Sequence, residues 1–248
     1  MDHVRVEEGD GVALMTIVDE KRRNAMSAAM VGEIVETFDA LEASDTVGAV
    51  VLTGAPPAFC SGADVANLGA LAEQRVAQER RGSIVSVYDG FLRVLRSSLP
   101  TIAAVNGPAI GAGMNLALAC DVRLAGTSAR FEARFLRIGL HPGGGHAWML
   151  ERAVGPQAAA AIMLFGEPID GARAAEIGLA WRTVPDDELL DAAREMAARA
   201  ARVPKPLSAA AKQTLREAPW QPDFDAAIAT EVERQTWSLG QGWFQRPV

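Results

Sequence analysis

The strongest constraint on the fold is a repeated order of apolar segment, glycine-containing loop and helix in the first half of the chain. Residues 49–54 are an apolar run that ends at glycine, and a loop of proline, glycine and small residues follows over 56–64. Residues 99–105 form a second run, which leads through another loop into a helical segment over 111–119. Short apolar runs bounded by glycine indicate buried strands. Strands that alternate with helices predict an α/β fold with parallel strands and crossover connections.

Further segments extend this pattern. A β-branched run over 12–18 predicts a strand, and Ser27 predicts the N-cap of a helix whose apolar residues recur at helical spacing. The predicted buried face of that helix consists of Met30, Ile34, Phe38 and Leu41. A long segment over 68–95 has a mainly helical pattern, and residues 121–125 predict another strand.

The second half of the chain changes to helical patterns. Helices are predicted over 156–165, 171–177, 186–201, 208–217 and 224–239. Because Pro204 and Pro206 interrupt these patterns, we predict a core over residues 1–203 and a C-terminal helical module over 204–248. Tryptophan and phenylalanine are concentrated in the module. Aromatic residues at a chain end indicate docking, either onto the core or onto a second subunit.

Composition and charge argue against several classes of protein. The chain of 248 residues is 49% hydrophobic, enough for a sizeable core, and its net charge of −7 does not favour nucleic acid as a partner. Cys60 and Cys120 lack the spacing of a zinc site or a disulfide framework, so we expect no metal and a reducing, cytoplasmic location. The N-terminus lacks the apolar core of a signal peptide. No apolar run reaches the roughly 18 residues that a membrane span needs.

Two loops offer uncovered backbone N–H groups. They are residues 58–64 (AFCSGAD) and 106–115 (NGPAIGAGMN), and each connects a strand to a helix. Small residues leave the backbone accessible there, and N–H groups at a helix N-terminus attract negative charge. One donor from each loop, converging on one oxygen atom, would form an oxyanion hole. The alternative is close packing of strand and helix. Neither loop is a P-loop, and Leu116 stands where a dinucleotide fingerprint needs its third glycine.

Several dispersed motifs occur in the order and spacing of a known family. They are residues 19–26 (DEKRRNAM), the FCSGAD loop, the NGPAIGAGMNLALACD segment, residues 131–155, the KPLS motif at 205–208 with Lys212, and WFQRP at 243–247. On these motifs the chain resembles the crotonase (enoyl-CoA hydratase/isomerase) family over nearly its whole length. The resemblance implies an α/β fold, a crotonase-like spiral of ββα units with a C-terminal helical trimerisation module.

The resemblance also implies a ligand and an assembly. Crotonase-family proteins bind an acyl-CoA thioester through two backbone N–H groups, which by motif position belong here to Ala63 and Ala112. Fixed amide dipoles would stabilise the negative charge on the thioester oxygen in an enolate-like transition state. Coenzyme A would be part of the substrate, and no separate cofactor is expected. The implied assembly is a homotrimer or a dimer of trimers.

The other ligand contacts that the resemblance implies lie on the same loops and on the segments that follow them. Adenine and pantetheine are expected along Arg23, Asn24, Ala25, Ser61 and Ala63. The remaining candidate substrate-binding residues are Gly62, Asp64, Gly111, Asn115, Phe135, Gly143 and Trp148. Asp64 is expected to support its loop rather than to react. The basic cluster at residues 21–23 either meets the CoA phosphates or forms a solvated turn.

The carboxylates that catalyse hydration or isomerisation in this family are absent from their usual positions. Those positions hold Asn115, Phe135 and Gly143. Because none of these residues exchanges a proton near neutral pH, a standard hydratase mechanism is not expected. His141 is the first candidate for a replacement acid or base and His146 the second, with a structural role as the alternative for each. Glu132 is a further candidate, but strand alternation does not predict its direction.

Three functional hypotheses follow. The first is an enoyl-CoA hydratase/isomerase-like enzyme that uses the oxyanion hole together with His141 or bound water. The second is a protein that binds acyl-CoA without chemistry, which the missing carboxylates favour. The third is another acyl-CoA reaction on the same fold, such as thioester hydrolysis or dehalogenation. Turnover of an enoyl-CoA distinguishes the first hypothesis from the second.

Overall fold

The computed structural model describes residues 3–64 and 81–244 of the chain. Within these ranges it contains nine strands and eight α-helices. The strands are β1 (Val4–Gly9), β2 (Val12–Ile17), β3 (Ala49–Gly54), β4 (Thr101–Val105), β5 (Pro108–Ile110), β6 (Val122–Gly126), β7 (Arg130–Glu132), β8 (Ile169–Asp170) and β9 (Arg182–Val184). The helices are α1 (Ala28–Ala43), α2 (Arg81–Arg96), α3 (Ala112–Ala119), α4 (His146–Leu164), α5 (Gly171–Glu176), α6 (Leu189–Ala201), α7 (Lys205–Glu217) and α8 (Phe224–Leu239).

Six strands form the larger sheet in the order β1-β2-β3-β4-β6-β9. β1 and β2 are antiparallel, and the other neighbouring pairs are parallel. β3 and β4 are buried along their whole length, as is typical of parallel strands with both faces covered. Val51 packs with the apolar side chains of α6, whereas Val50 and Leu52 belong to the main core. The predicted α/β fold with parallel strands is confirmed.

The edge strand β1 was not predicted, because its sequence is polar and most of it is exposed. A signal for it exists in the turn that joins β1 to β2. Asp10 and Gly11 have φ angles of 53° and 77°, and Gly9 pairs with Val12 across the turn. An Asp-Gly pair in this conformation is typical of a two-residue hairpin.

Three short strands form a second sheet in the order β5-β7-β8. They have three, three and two residues, which is too short for alternation to appear in the sequence. β5 belongs to the second glycine loop and pairs with β7 in parallel. Directly after β5, the Gly111 N–H donates to the Glu132 carbonyl oxygen at 2.9 Å. The small sheet therefore holds this loop against the segment that follows β7.

Helix α1 begins as predicted. The Ser27 hydroxyl accepts a hydrogen bond from the Met30 N–H at 3.2 Å, and the predicted apolar face is buried. An N-cap serine that accepts the N–H of the third helical residue satisfies a donor that has no partner within the helix. For the helix predicted over 68–95, the structure confirms the part from Arg81, and residues 68–80 lie outside the described ranges.

Helix α4 differs from its prediction. It begins at His146 rather than near residue 156, and Gly155, with a φ of 74°, kinks it just before Pro156. The glycines that precede His146 conceal the helix start in the sequence, because glycine is a poor helix former. Neither α4 nor any other helix in the described ranges is long and apolar enough to cross a membrane.

The C-terminal helices dock onto the rest of the chain through two lysines of α7. Lys205 Nζ donates to three carbonyl oxygens at the C-terminal end of α1, at 3.3, 2.7 and 2.6 Å. Lys212 is buried, with its Nζ 2.6 Å from Asp121 Oδ2 and 2.5 Å from the Leu99 carbonyl oxygen. A cation stabilises the unpaired carbonyl groups of a helix C-terminus. α7 starts where the predicted module starts, and the division after residue 203 stays a prediction.

Candidate active site

The two glycine-containing loops are joined along part of their length. The Cys60 N–H donates to the Pro108 carbonyl oxygen at 3.0 Å, and the Ile110 N–H donates to the Cys60 carbonyl oxygen at 2.9 Å. Cys60 and Ala109 form the corresponding parallel bridge. The fold thus brings together two loops that are about 50 residues apart in sequence, as an oxyanion hole built from both would require.

Two glycines allow this close approach. A Cβ atom on Gly62, whose φ is 108°, would lie 2.9 Å from the Ile110 carbonyl oxygen and 3.9 Å from the Ala112 nitrogen. A Cβ atom on Gly113 would overlap the Cys60 carbonyl oxygen and lie 2.8 Å from the Cys60 Cβ. Any larger residue at either position would push the loops apart, because the obstructing atoms are mainly backbone.

The N–H groups of Ala63 and Ala112 are available to a ligand. Ala112 is the first residue of α3, and N–H groups in the first turn of a helix have no partner within the helix. Next to Ala63, the Met26 N–H donates to the Gly62 carbonyl oxygen at 2.8 Å and the Asp64 N–H donates to the Met26 carbonyl oxygen at 3.4 Å. That parallel bridge does not use the Ala63 N–H. In the described ranges, no group accepts a hydrogen bond from either alanine N–H.

Asn24 supports the first loop from inside the protein. Its side chain is fully buried, and its Nδ2 donates to the carbonyl oxygens of Ala55 and Ala58, each at 2.7 Å. Its Oδ1 accepts the Asp19 N–H at 2.8 Å. The Asn24 side chain is thus occupied by buried backbone groups, and the predicted path of coenzyme A along Asn24 stays a prediction. Ala25 is also buried, with 7% of its surface exposed.

A second set of bonds holds the first loop against the basic cluster. The Ser61 N–H donates to the Arg23 carbonyl oxygen at 3.0 Å, and the Ser61 hydroxyl donates to the Arg22 carbonyl oxygen at 2.7 Å. Arg22 Nη1 lies 3.1 Å from Asp64 Oδ2. Ser61 and Asp64 thus help to shape the loop. The side chains of Lys21 and Arg23 are exposed.

The fold also gathers the three positions that lack a carboxylate. Asn115 is buried one turn after Gly111 on α3, and its Nδ2 donates to the Gly143 carbonyl oxygen at 3.1 Å. Phe135 is half-buried, and its ring atoms would lie 3.9 Å from a Cβ atom on Gly111. These three residues therefore lie together around the start of α3.

His146 completes this cluster. It is 1% exposed at the start of α4, and its Nδ1 lies 2.6 Å from Asn115 Oδ1. Because the amide NH₂ of Asn115 faces the Gly143 carbonyl oxygen, Oδ1 must be the acceptor, and the hydrogen-bond network assigns the imidazole proton to Nδ1. The Phe135 ring packs edge-on against the imidazole, with the ring centroids 4.9 Å apart.

The Nε2 atom of His146 is left with a free lone pair. This atom is buried and has no hydrogen-bond partner among the residues that the structure describes. Burial lowers the pKa of His146 to about 4, because removal from water disfavours the imidazolium form. The side chain is therefore neutral at neutral pH, in the state that accepts a proton.

The structure does not bring His141 into this cluster. Its side chain is exposed, and its Nδ1 lies 2.7 Å from the carbonyl oxygen of the neighbouring Pro142. The role of His141 as a replacement for the missing carboxylates stays a prediction, and the histidine that lies beside Asn115 and Phe135 is His146. The glycine run between the two histidines turns the chain, so a count of residues from Gly143 could not separate them.

Trp148 lies away from the cluster. It is 46% exposed and stacks on Trp220, with ring centroids 6.1 Å apart and planes 5° apart. The Arg152 guanidinium lies 4.6 Å from the Trp148 ring centroid. Trp148 follows His146 by two residues on α4. Because two residues correspond to a rotation of about 200° around a helix axis, the two side chains point in nearly opposite directions. The substrate contact of Trp148 stays a prediction, and in this structure the ring packs against Trp220.

Glu132 is committed to neighbouring arginines. Its carboxylate is 3% exposed, and it binds Arg130 at 2.5 Å and Arg134 through a second ion pair. Burial acts to raise the pKa of Glu132, but hydrogen bonds and charge from Arg134 and Arg130 outweigh it and lower the pKa. The carboxylate is thus ionised and fully engaged, which argues against a role in proton transfer.

One side chain beside the cluster was not anticipated from the sequence. Tyr88, the single tyrosine of the chain, is half-buried on α2, and its hydroxyl occupies the space that a Cβ atom on Gly143 would need. The next glycine, Gly144, faces the ring of Phe91 in the same way. No sequence signal distinguishes Tyr88 from other half-buried aromatic residues, because its proximity to Gly143 comes only from the packing of α2.

Comparison with known proteins gives a family for this arrangement. The enoyl-CoA hydratase/isomerase family model matches residues 7–236. The chain belongs to the crotonase family. A curated relative named probable enoyl-CoA hydratase EchA14, from Mycobacterium tuberculosis, is 47% identical over 215 residues, which are 87% of this chain and 82% of the relative.

Solved structures of the crotonase family show the same fold. A probable enoyl-CoA hydratase/isomerase from Mycobacterium abscessus has a TM-score of 0.85 at 32% identity, covering 95% of this chain and 90% of that one. A monofunctional enoyl-CoA isomerase from Mycobacterium smegmatis has a TM-score of 0.76 at 35% identity, covering 91% of this chain and 98% of that one. The crotonase-like α/β fold is thereby confirmed.

Proposed function

We propose that this crotonase-family chain binds acyl-CoA thioesters and polarises the thioester carbonyl group with the N–H groups of Ala63 and Ala112. The reaction would be of the enoyl-CoA hydratase/isomerase type. The observation that supports this most directly is the joining of the two glycine loops, which leaves one uncommitted N–H group on each. Coenzyme A is part of the substrate in this proposal.

The chemistry of such a site follows from where charge develops. Negative charge moves onto the thioester oxygen when a nucleophile adds to the acyl group of an enoyl thioester. The same happens when a base removes a proton from the acyl group. Two N–H dipoles, already fixed by the loop contacts and by the start of α3, stabilise that charge without reorganisation. The positive end of the α3 helix dipole contributes in the same direction.

Coenzyme A would lie along the first loop. Lys21 and Arg23 are exposed cations beside Ser61, so we assign the CoA phosphates to them, whereas Arg22 is paired with Asp64. The acyl group would extend toward Phe135, whose half-buried ring stands next to Gly111. Self-association is part of the same proposal. It is supported by large exposed apolar side chains in the C-terminal helices, such as Phe224 and Trp220.

A second candidate function is acyl-CoA binding without chemistry. The observation that favours it is the set of residues at the usual carboxylate positions, Asn115, Phe135 and Gly143. A different acyl-CoA reaction on the crotonase fold is the third. Turnover and binding together distinguish these candidates from the first.

The test has two measurements. Calorimetry measures the binding of butyryl-CoA to the protein, and absorbance follows the loss of the enoyl thioester from crotonyl-CoA and from a longer 2-enoyl-CoA. Ala112→Pro removes one oxyanion donor at a helix position that tolerates proline. We expect it to lower turnover about 10²–10³-fold. Ala28→Pro makes the same change at the first residue of α1, away from the loop contacts, and should keep wild-type turnover.

The outcomes separate the candidates. Binding with catalysed decay that depends on Ala112 supports the enzyme, and binding with a flat absorbance trace supports one of the other two functions. Absence of acyl-CoA binding by the folded wild-type protein would refute the proposal.

A further inference from the structure

Two polar side chains and one backbone N–H group contact Gly143. Its carbonyl oxygen accepts hydrogen bonds from the Asn115 side-chain Nδ2 at 3.1 Å and from the His146 backbone N–H at 3.3 Å. The Tyr88 hydroxyl stands against its Cα and takes the space of a side chain there. The glycine at an empty carboxylate position therefore lies beside Asn115, Tyr88 and the first residue of α4, His146.

Of these groups, His146 has the polar atom that most needs an explanation. Its Nδ1 is bonded to Asn115, whereas its Nε2 is buried with no partner among the described residues. Buried polar atoms in native proteins are nearly always paired, and an unpaired one at a site points to a ligand or a catalytic role. The ring contact beyond the imidazole is Phe135, which also lines the start of α3.

We propose that His146 is the base that removes the α-proton of the bound acyl thioester, with Asn115 as its positioning residue and Tyr88 as a hydrogen-bond donor in the same site. This inference rests on the proposed acyl-CoA function and names the group that does the work of the missing carboxylates. Asn115 fixes the tautomer, because its Oδ1 can only accept and so keeps the proton on Nδ1.

The step conserves atoms and charge. The Nε2 lone pair takes the α-proton, the electron pair of the C–H bond moves toward the thioester carbonyl carbon, and the oxygen between Ala63 and Ala112 becomes an enolate oxygen. The imidazolium then returns a proton either to the same carbon or to the γ-carbon of an unsaturated chain. No oxidant, reductant or metal ion takes part.

Phe135 is the ring that packs against His146, with the ring centroids 4.9 Å apart. The Phe135 side chain is only half-buried and lies in a short segment after β7. Side-chain rotation on ligand binding is common at recognition surfaces. A turn of this ring would open Nε2 to an acyl chain and place the apolar ring against that chain.

The experiment is α-proton exchange of butyryl-CoA in D₂O, followed by mass spectrometry, with the butyryl-CoA affinity measured by calorimetry for each variant. Exchange reports enolate formation even when the natural acyl group is unknown. We expect wild type to catalyse exchange, and His146→Gln to lower the rate at least about 10²-fold with the affinity within about threefold. Tyr88→Phe, which removes only the hydroxyl, should lower the rate about tenfold. His3→Gln is the matched histidine control and should exchange like wild type.

A measurement on the intact protein keeps the proposal open to refutation even if His146→Gln folds poorly. The ¹⁵N chemical shifts of the His146 ring should show a protonated Nδ1 and a bare Nε2, and Asn115→Ala should abolish this preference together with most of the exchange.

Three results would overturn the inference while leaving acyl-CoA binding intact. They are exchange that survives in His146→Gln, exchange lost in His141→Gln instead, and wild-type binding with no exchange. Failure of wild type to bind butyryl-CoA would overturn the proposed function as well.

Discussion

At the scale of single residues, buried polar groups decide what the site can do. Asn24 uses its whole side-chain amide to satisfy backbone groups. Asn115 bonds through both its amide nitrogen and its amide oxygen, but one of its partners is a titratable side chain. His146 consequently has one bonded nitrogen and one without a partner in the part of the chain that the structure describes. The two asparagines look alike in the sequence, and only their partners separate a scaffold residue from one that orients a histidine.

The buried, neutral His146 gives the stability of the protein a pH dependence. The pKa of His146 is about 4 in the folded chain and about 6.5 when unfolded. Between these values the unfolded state binds more protons, so the free energy of unfolding falls as the pH drops from about 6.5 to about 4. We expect a loss on the order of 2–3 kcal/mol over this window from this residue. Urea unfolding at several pH values measures it.

The matched variants for this prediction are His146→Gln and His141→Gln. The first should flatten the dependence in that window, and the second is the matched substitution at a histidine outside the buried cluster. An equal slope in wild type and in His146→Gln would contradict a buried neutral imidazole.

At the scale of elements, the site depends on how close α3 comes to the first loop. β5 and the bridge at Cys60 align the two loops, and the first turn of α3 then presents the Ala112 N–H. The second sheet adds the Gly111 bond to Glu132. A shift of the helix by a fraction of an ångström would misalign the two donors, because oxyanion stabilisation requires fixed geometry.

Gly113→Ala tests this dependence. The added methyl group would overlap the Cys60 carbonyl oxygen, and that backbone atom cannot rotate away. We expect a loss of about 1–3 kcal/mol in the free energy of unfolding and a loss of acyl-CoA affinity or turnover beyond that of a surface change. Urea unfolding and calorimetry with butyryl-CoA measure the two effects.

Gly32→Ala is the control for Gly113→Ala. Gly32 lies in α1, and a Cβ atom there has no neighbour within 4 Å among the described residues. Alanine should stabilise the protein by about 0.5–1 kcal/mol, because it favours the helix over the unfolded chain. Comparable behaviour of the two variants would show that the loop contact is not tight.

At the scale of the whole molecule, the C-terminal helices are tied to the core by charges rather than by a large apolar face. Lys205 donates hydrogen bonds to carbonyl oxygens at the C-terminal end of α1. Lys212 forms an ion pair with Asp121, which lies between α3 and β6. Asp121 Oδ2 also accepts the N–H and the hydroxyl of Thr101, at 2.8 and 2.9 Å. The stack of Trp148 on Trp220 adds one aromatic contact.

Lys212→Met measures the strength of this docking. It removes the buried charge and keeps most of the aliphatic volume, while Thr101 still binds Asp121. We expect a loss of about 2 kcal/mol in the free energy of unfolding, since one partner of a largely buried pair is left behind. Lys21→Met, at an exposed lysine, should change it by less than about 0.5 kcal/mol. Urea unfolding followed by tryptophan fluorescence distinguishes them, and equal midpoints would refute a docking role for Lys212.

The sequence by itself determined the α/β class, the parallel core strands, the start of α1 and the two glycine loops. These features depend on local chemistry: β-branched apolar runs, an N-cap serine, and glycines before helix starts. The family motifs added the positions of the two oxyanion donors and showed that three carboxylates are missing. Local sequence patterns did not predict the strands of two or three residues. They also did not predict where α4 starts, because a glycine run precedes it.

Only the tertiary structure decided which side chains meet. The sequence favoured His141 over His146, but in the structure His141 is exposed and His146 is buried against Asn115, on either side of the turn at Gly143–Gly145. Tyr88 reaches Gly143 from a helix far away in the chain, and Trp148 is drawn to the C-terminal helices. The physical reason is that hydrogen-bond pairing and burial depend on contacts between distant segments, which no local spacing of residues encodes.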